Sequence, residues 1–412
     1  MKKTFSDFQI GDIAVFEQSF SPKDFIAFSQ LSGDQNPLHH DANYAAASAF
    51  EQTIVPVHMT LAPLSRIAGM IFPGDPSLYL GHEVRSILPV FYGQTLSYSA
   101  KIIALNAELR ALTIRVLVIR GAEVVLEAEM RVMSRLESWE CAEPSLCLAP
   151  SPAVSLVTGA TGEIGTALAV VLARRGQNLV LVDRGPGKKR DALAQALKQA
   201  GGREVQIDFV TADLNVPQQV SELSAYLTAR GDVACVFHSA SPPLDAPLQN
   251  LVQVNYAALQ QMSEAVLPAM LLRQQGVLAH IGSVATERVI PNWHNYSAAK
   301  AMAGQFLTGF DKSHSEYGAR GLSILSGLVA TEYSASVQGS APAMLPQELA
   351  EAVVEVALDD RAGRAMMIEW NTRRAGSLGF HHNPPAPAPV AVAQAQSVTP
   401  AGGTPELAST EA

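Results

Sequence analysis

The 412-residue sequence is poor in charge, in aromatic side chains and in cysteine. Charged residues make up 16% of the chain and its net charge is −9, so it lacks the basic excess that a nucleic-acid-binding surface needs. The three cysteines, Cys141, Cys147 and Cys235, lack metal-site spacing, and we expect reduced thiols in a cytoplasmic protein without a metal. No apolar run reaches the roughly 18 residues that span a bilayer, so neither membrane insertion nor secretion is expected.

Composition divides the chain into four segments. Residues 1–136 mix helical and strand patterns, and residues 137–152 contain three prolines, which predicts a linker. Residues 153–378 alternate short apolar strands with longer amphipathic segments, the pattern of βαβ units on a parallel sheet. Residues 379–412 are rich in Pro, Ala and Ser, and we expect them to be disordered.

A glycine-rich turn follows the first predicted strand of the third segment. The apolar residues 154–157 lead into this turn, and a helical pattern follows it from Thr166. Glycines let the backbone approach a pyrophosphate, and the helix N-terminus offers free N–H groups to it. The alternative is a strand–turn–helix with purely structural glycines. The predicted cofactor-binding residues of the turn are Gly159, Thr161, Gly162, Ile164 and Gly165.

Charged residues at the end of the next predicted strand bear on which dinucleotide binds. Asp183 there can accept both ribose hydroxyls of NAD and would repel the extra phosphate of NADP. Arg184 and the basic run 188–190 would attract that phosphate, unless the run is only a solvated loop. We expect NAD or NADP, with a small preference for NAD. Asp213 is expected either to contact the adenine or to cap a helix.

A tyrosine and a lysine lie four residues apart near the end of this segment. At that spacing on a helix, Tyr296 and Lys300 share a face. A lysine cation beside a phenol favours the phenolate, so we expect a lowered pKa for Tyr296 and a role in proton transfer. Ser283 lies thirteen residues before Tyr296, and Asn255 lies further upstream.

These residues resemble the catalytic tetrad of classical short-chain dehydrogenases/reductases, at the spacing of the 3-oxoacyl reductases. The resemblance implies that Tyr296 is the general acid/base, that Ser283 binds the substrate oxygen and that Asn255 holds a water. It also implies that Lys300 binds the nicotinamide ribose and that Thr331 meets the carboxamide. Residues 238–241 and Ser326 depart from the family's pattern, although they leave the proton-transfer groups intact.

The first segment contains an aspartate and a histidine five residues apart. Pro37 fixes the turn between Asp34 and His39, and such a pair can activate water, although it also occurs in structural loops. The surrounding residues 8–134 resemble the MaoC-like (R)-specific enoyl hydratases, which have the hot-dog fold. In that family the matching pair activates the water that adds to the substrate, and His40 is then a neighbour on the loop.

The hydratase pattern is incomplete at one point. Val57 stands where the family has a glycine whose N–H polarises the thioester carbonyl, and Ala62 stands where a serine is common. A β-branched residue resists a positive φ, but the backbone N–H of Val57 remains available. His58 is expected to be packed in the core, and the alternative is that it compensates for the missing glycine. The alternative for the domain is a binding-only module.

The predicted fold is an α+β hot-dog domain followed by an α/β Rossmann-type domain with a doubly wound parallel sheet. The resemblances imply a bifunctional enzyme that acts on acyl-CoA or acyl-carrier-protein thioesters and forms a homo-oligomer. Its two reactions share a 3-hydroxyacyl intermediate, and joining the domains raises the local concentration of that intermediate. A reductase with a non-catalytic hot-dog domain and a non-catalytic NAD(H) sensor are the alternatives. The tail is expected to be a flexible end or a docking segment.

Overall fold

The computed structural model covers the chain with several gaps. It describes residues 2–74, 77–134, 138–140, 147–148, 154–200, 205–288, 290–335, 343–358, 365–370 and 378–382. Across these ranges, every helix is too short or too polar to pass through a bilayer.

An antiparallel sheet forms the N-terminal domain. Its six strands lie in the order β3-β6-β5-β4-β2-β8, and a separate short pair is formed by β1 and β7. The strands are β1 Lys2–Thr4, β2 Ile13–Ser19, β3 Leu78–Ser86, β4 Thr95–Asn106, β5 Ala111–Arg120, β6 Glu123–Met133, β7 Ser138–Glu140 and β8 Cys147–Leu148. Two of them, β7 and β8, fall within the predicted linker, so this segment extends the domain's sheets rather than merely spanning between domains.

A central helical segment packs into this sheet. Its apolar residues Ile67 and Ile71 are fully buried among the side chains of the strands. A helix covered by a curved antiparallel sheet is the hot-dog arrangement, which confirms the prediction. The helices are α1 Pro22–Ser32, α2 Ala42–Ala46, α3 Val57–Leu61 and α4 Pro63–Arg66, and α4 continues into a π turn over Ile67–Ile71.

A parallel sheet forms the C-terminal domain. Its strands lie in the order β11-β10-β9-β12-β13-β14-β15-β16, and all pair in parallel except β16. The strands are β9 Val154–Thr158, β10 Leu179–Asp183, β11 Ile207–Thr211, β12 Val233–His238, β13 Gly276–Ile281, β14 Ala319–Ser326, β15 Ala365–Trp370 and β16 Leu378–His382. Strand β16 includes the first residues of the predicted disordered tail, whereas residues 383–412 lie outside the described part of the chain.

Helices cover both faces of this sheet, as the predicted doubly wound fold requires. One face carries α5 and α11, and the other carries α7, α9 and α10. The helices are α5 Glu163–Arg174, α6 Lys188–Gln199, α7 Pro217–Arg230, α8 Leu248–Val252, α9 Ala258–Arg273, α10 His294–His314 and α11 Pro346–Leu358. The strand order reverses between β9 and β12, so the carboxyl ends of these strands border a crevice where ligands bind in such folds.

Strand β5 is buried on both faces. Ile114, Val116 and Val118 point into the hot-dog core. The alternate residues Leu117 and Ile119 pack with the core of the C-terminal domain, where α9 lies against β4 and β5. Because strand side chains alternate between two faces, one strand contributes to the cores of both domains.

At the end of α9, hydrogen bonds add to the apolar packing between the two domains. The side chain of Gln274 donates to the carbonyl of Ser99 at 2.9 Å and accepts from Nε of Arg115 at 2.6 Å. Lys101 Nζ donates to the carbonyls of Arg273 and Gln274, and the Ser99 hydroxyl donates to the carbonyl of Leu272. The helix carbonyls that lack intrahelical donors are therefore satisfied by the neighbouring domain.

Gln274→Ala tests this contact. Gln274 is only 3% exposed, and its removal would leave Arg115 without its side-chain acceptor. We expect the free energy of unfolding, measured with urea, to fall by about 1–3 kcal/mol. The neighbouring Gln275 is exposed, so Gln275→Ala should change it by less than about 0.5 kcal/mol. Equal effects of the two variants would contradict the assigned role of Gln274.

Candidate active sites

The glycine-rich turn lies in the crevice at the carboxyl end of β9. Gly159 has φ of +65°, and a Cβ there would lie 2.9 Å from Cα of Ala240. A Cβ on Gly165 would lie 2.2 Å from the carbonyl oxygen of Gly159. Gly162 is the N-cap of α5, and Thr161 and Ile164 flank it. The turn is thus as close-packed as a pyrophosphate-binding turn requires, and its helix N-terminus is available for an anion.

Asp183 ends β10 as predicted, but its carboxylate already has partners. It accepts from the backbone N–H of Gly185 at 2.7 Å and from Nε of Arg190 at 2.8 Å, and a second guanidinium nitrogen also contacts it. The Asp183 side chain is 1% exposed, whereas Arg184 is exposed. Within the predicted basic cluster, Arg190 therefore neutralises Asp183 and Arg184 remains open to solvent.

Two further predicted cofactor residues are engaged in local turns. Asp213 Oδ1 accepts from the N–H of Asn215 at 2.9 Å, which stabilises the turn before α7. Thr331 forms a reciprocal cap with Ser334. Glu163, which sequence reasoning missed, accepts from the N–H of Glu332 at 2.7 Å and so connects the start of α5 with the turn after Thr331. Their contacts with a cofactor remain predictions.

The structure brings the four predicted proton-transfer residues to one side of the crevice. Tyr296 and Lys300 share a face of α10, with Lys300 Nζ 5.8 Å from the centre of the tyrosine ring. The Ser283 side chain hydrogen-bonds to Tyr296. Asn255 lies in a π turn between α8 and α9 and is fully buried. Its Nδ2 donates to the carbonyl of Leu251, and its Oδ1 has no partner within the described part of the chain, so this oxygen can accept from a water.

The expected lowering of the Tyr296 pKa is wrong for this arrangement of protein groups. Burial raises the pKa of Tyr296, Tyr333 adds to this effect, and the bond with Ser283 opposes it. Burial also lowers the pKa of Lys300 to about 7. Desolvation disfavours both the phenolate and the ammonium, and it outweighs the attraction between them. The tyrosine is therefore held as a proton donor.

In the hot-dog domain, Asp34 and His39 come together. His39 Nε2 lies 3.7 Å from Asp34 Oδ2, and its Nδ1 lies 2.9 Å from the carbonyl of Ile54. A carbonyl can only accept, so Nδ1 carries the proton in the neutral ring and Nε2 is unprotonated. The unprotonated nitrogen and the carboxylate are spaced to bind one water between them and to remove its proton.

A cavity of about 270 Å³ adjoins His39 of this pair. Apolar side chains dominate its lining, which suits an acyl chain. The lining comprises His39, Ile54, Val55, Val57, Thr60, Ser86, Leu88, Pro89, Val90, Val125 and Leu126. Val57 begins the short helix α3 with a negative φ, so the position does not need glycine, and its N–H lacks an intrahelical acceptor.

The neighbouring histidines differ from each other. His40 is exposed and stacks on Phe25 with ring centres 5.5 Å apart, as a neighbour on the loop would. His58 is exposed, so the expectation that it is packed in the core is wrong, whereas its compensation for the missing glycine stays a prediction. Tyr92, which sequence reasoning missed, donates to the carbonyl of His39 at 3.0 Å and supports the loop.

Comparison with known proteins agrees with the two folds. The family model described as a MaoC like domain matches residues 9–118, and the model described as short chain dehydrogenase matches residues 153–341. The (R)-specific enoyl-CoA hydratase of Aeromonas caviae is 34% identical over 119 residues, covering 28% of this chain and 89% of that protein. The very-long-chain 3-oxoacyl-CoA reductase of Anas platyrhynchos is 27% identical over 234 residues, covering 52% of this chain and 73% of that protein.

Among solved structures, a short-chain dehydrogenase from Sphingobium yanoikuyae in complex with NADPH is 26% identical, with a TM-score of 0.48. It covers 52% of this chain, and 87% of that chain is matched. The family assignment rests on the sequence matches and on the folds and sites described above. The chain therefore belongs to the MaoC-like hydratase family in its N-terminal domain and to the short-chain dehydrogenase/reductase family in its C-terminal domain.

Proposed function

We propose that the chain is a bifunctional acyl-thioester enzyme dependent on NAD(P). One domain interconverts 3-oxoacyl and 3-hydroxyacyl thioesters. The other interconverts the (R)-3-hydroxyacyl thioester and the trans-2-enoyl thioester by loss or addition of water. The observation that carries this proposal is the presence on one chain of two acid–base sites whose reactions share an intermediate.

The reductase step uses the phenol of Tyr296 as its proton donor. When bound, NAD(P)H supplies the hydride to the 3-carbonyl carbon. Tyr296 gives its proton to the carbonyl oxygen, and Ser283 orients that oxygen through a hydrogen bond. Apolar side chains beside the tyrosine, including Trp293 at 5.7 Å between ring centres, exclude water and accept the acyl group.

The hydratase step uses the pair in the hot-dog domain. In the direction of hydration, His39 Nε2 or Asp34 removes the proton of a water as its oxygen bonds to carbon 3, and the proton returns to carbon 2. Val57 lines the same cavity, and its N–H, which has no intrahelical acceptor, would stabilise the charge that develops on the thioester oxygen. A geometry with this N–H intact favours a catalytic domain over a binding-only one.

Two substitutions in the full-length protein separate the reactions. Tyr296→Phe should lower the rate of NAD(P)H oxidation with acetoacetyl-CoA by about 10²–10⁴-fold and leave the hydration of crotonyl-CoA unchanged. Asp34→Asn should lower the rate of crotonyl-CoA hydration by a similar factor and leave NAD(P)H oxidation with acetoacetyl-CoA unchanged. Each variant is the control for the other, because both domains remain on one chain. Failure of the wild-type protein in either assay would contradict the corresponding activity. A hydration rate that Asp34→Asn leaves unchanged would favour the non-catalytic hot-dog domain.

The pairing of Asp183 with Arg190 bears on the cofactor. A carboxylate neutralised by a guanidinium neither repels a 2′-phosphate strongly nor is free to accept the ribose hydroxyls. Arg184 is exposed beside it and can pair with that phosphate. We therefore propose that NADP is preferred over NAD, which reverses the small preference expected from the sequence.

Arg190→Leu tests the cofactor preference. Loss of the guanidinium frees the charge of Asp183, so the ratio of kcat/KM with NADPH to that with NADH should fall about tenfold. Lys198 lies near the end of α6, away from Asp183, and Lys198→Leu should leave the ratio within twofold. A ratio that stays unchanged in Arg190→Leu would show that the ion pair does not govern the choice.

We further propose a homo-oligomer in the cytoplasm, assembled through strand β3. This strand is at the edge of the hot-dog sheet, and its side chains Leu78, Leu80 and Val84 are 44%, 49% and 38% exposed. Unpaired edges with apolar side chains favour pairing with another strand. Cys235 is a buried free thiol, which suits a reducing compartment.

Leu80→Lys tests the proposed interface. A buried unpaired lysine would oppose strand pairing, so light scattering after size exclusion should give a smaller particle than the wild type. Lysine at the exposed Leu109, in the turn between β4 and β5, should leave the mass unchanged. A monomeric wild type, or equal masses for all three proteins, would contradict assembly through β3.

A further inference from the structure

Two buried histidines lie beneath the reductase site and have no part in the chemistry described so far. His238 ends β12, and its backbone is paired in register with His280 on the neighbouring β13. Both side chains are fully buried, and their rings stack with centres 5.6 Å apart. Lys300 of α10 reaches the same place and is 4% exposed. Buried imidazoles next to a buried amine need a specific reason, because each loses its hydration.

The hydrogen bonds fix the state of His238. Its Nε2 lies 2.9 Å from the carbonyl of Val254, which can only accept, so this nitrogen is protonated. Its Nδ1 lies 2.8 Å from the hydroxyl of Thr158 and accepts from it. Burial, with the charge of Lys300 as the second cause, lowers the pKa of His238 to about 3. His238 is therefore a neutral ring with both nitrogens engaged.

His280 faces the lysine directly. Its Nε2 lies 3.4 Å from Nζ of Lys300, and the carbonyl of Ile281 lies 2.7 Å from the same Nζ. When Lys300 carries its charge, its ammonium can only donate, so Nε2 of His280 then accepts and the ring proton is on Nδ1. That Nδ1 has no protein partner among the described residues. Burial, then Lys300 and His238, keep the pKa of His280 well below its usual value, so the shared proton belongs to the lysine.

Few groups are available to stabilise the lysine charge. Among the residues that the structure describes, the titratable groups that face Lys300 are His280 from β13, His238 from β12 and Tyr296 from α10, and no carboxylate of these ranges contributes to its pKa. An imidazole nitrogen and one carbonyl are thus the acceptors that compensate for its desolvation. Two fixed acceptors also hold Nζ in one place and leave one N–H for a further partner.

We propose that His280 is a positioning residue of the reductase, whose neutral Nε2 and the carbonyl of Ile281 hold the Lys300 ammonium so that its third N–H points to the cofactor ribose. His238 supports the ring of His280 from behind. This inference rests on the proposed reductase function for its catalytic consequence, but not for the state of the lysine itself.

The test compares two substitutions of one ring. His280→Phe keeps an aromatic side chain but removes the acceptor, whereas His280→Gln places an amide oxygen near the position of Nε2. We expect His280→Phe to lower kcat with acetoacetyl-CoA by about 10–100-fold while KM changes less than twofold. His280→Gln should recover most of kcat. His314→Phe, the same change at the far end of α10, should behave as wild type.

NADPH binding gives a readout that does not depend on the substrate. The dissociation constant, followed by NADPH fluorescence, should rise as Lys300 loses its proton. In His280→Phe the midpoint of this rise should move down by about one pH unit, since a lost acceptor disfavours the ammonium. His280→Gln should keep the wild-type midpoint. A wild type that binds NADPH but fails to reduce the thioester would remove the proposed function and leave this comparison valid.

Three results would overturn the role of His280. The first is an equal shift of the midpoint in both variants, and the second is the absence of a shift in either. The third result needs no variant, so it applies even if His280→Phe does not fold. We expect ¹⁵N shifts of the wild-type protein to report His280 protonated on Nδ1, and the contrary result is protonation on Nε2. A ring protonated on Nε2 could not accept from Lys300 and would exclude the proposal.

Discussion

The two-sided burial of strand β5 is the constraint on which the rest of the architecture depends. Its alternate side chains fill two different cores, that of the hot-dog domain and that of the reductase domain. Because the side-chain period of a strand is two, a shift of one residue in register would exchange these faces and disrupt both cores together. The register of one strand therefore couples the packing around the hydratase cavity to that around α9.

In the reductase site, desolvation determines which groups carry a proton. It keeps the Tyr296 phenol protonated, brings the pKa of Lys300 to about 7 and holds both buried histidines neutral. In the hot-dog domain, direct hydrogen bonding has this role instead, since a carbonyl fixes the tautomer of His39. The same enzyme thus sets the proton state of one site by burial and that of the other by a single backbone contact.

Local patterns made much of this predictable from the sequence. Tyr296 and Lys300 are one helical turn apart, and Gly159 and Gly165 belong to one turn, so spacing alone indicated their arrangement. The ion pair between Asp183 and Arg190 could not be predicted in the same way, because the sequence indicated a basic cluster but not which of its side chains would contact Asp183. The contact between His238 and His280 arises from the pairing of two strands separated by some forty residues, and no short pattern reports it. The predicted lowering of the Tyr296 pKa was wrong because the sequence does not show that the phenol is buried.

Helix α9 lies against the outer face of the hot-dog sheet, and its last carbonyls are bonded to side chains of β4. The two domains are therefore joined by packing and hydrogen bonds as well as by the covalent chain. If the gene were divided between them, each product would expose the apolar surface that the other domain now covers, and the halves would be prone to aggregate or to reassociate. Separate ancestral proteins would have needed more polar residues on both of these faces.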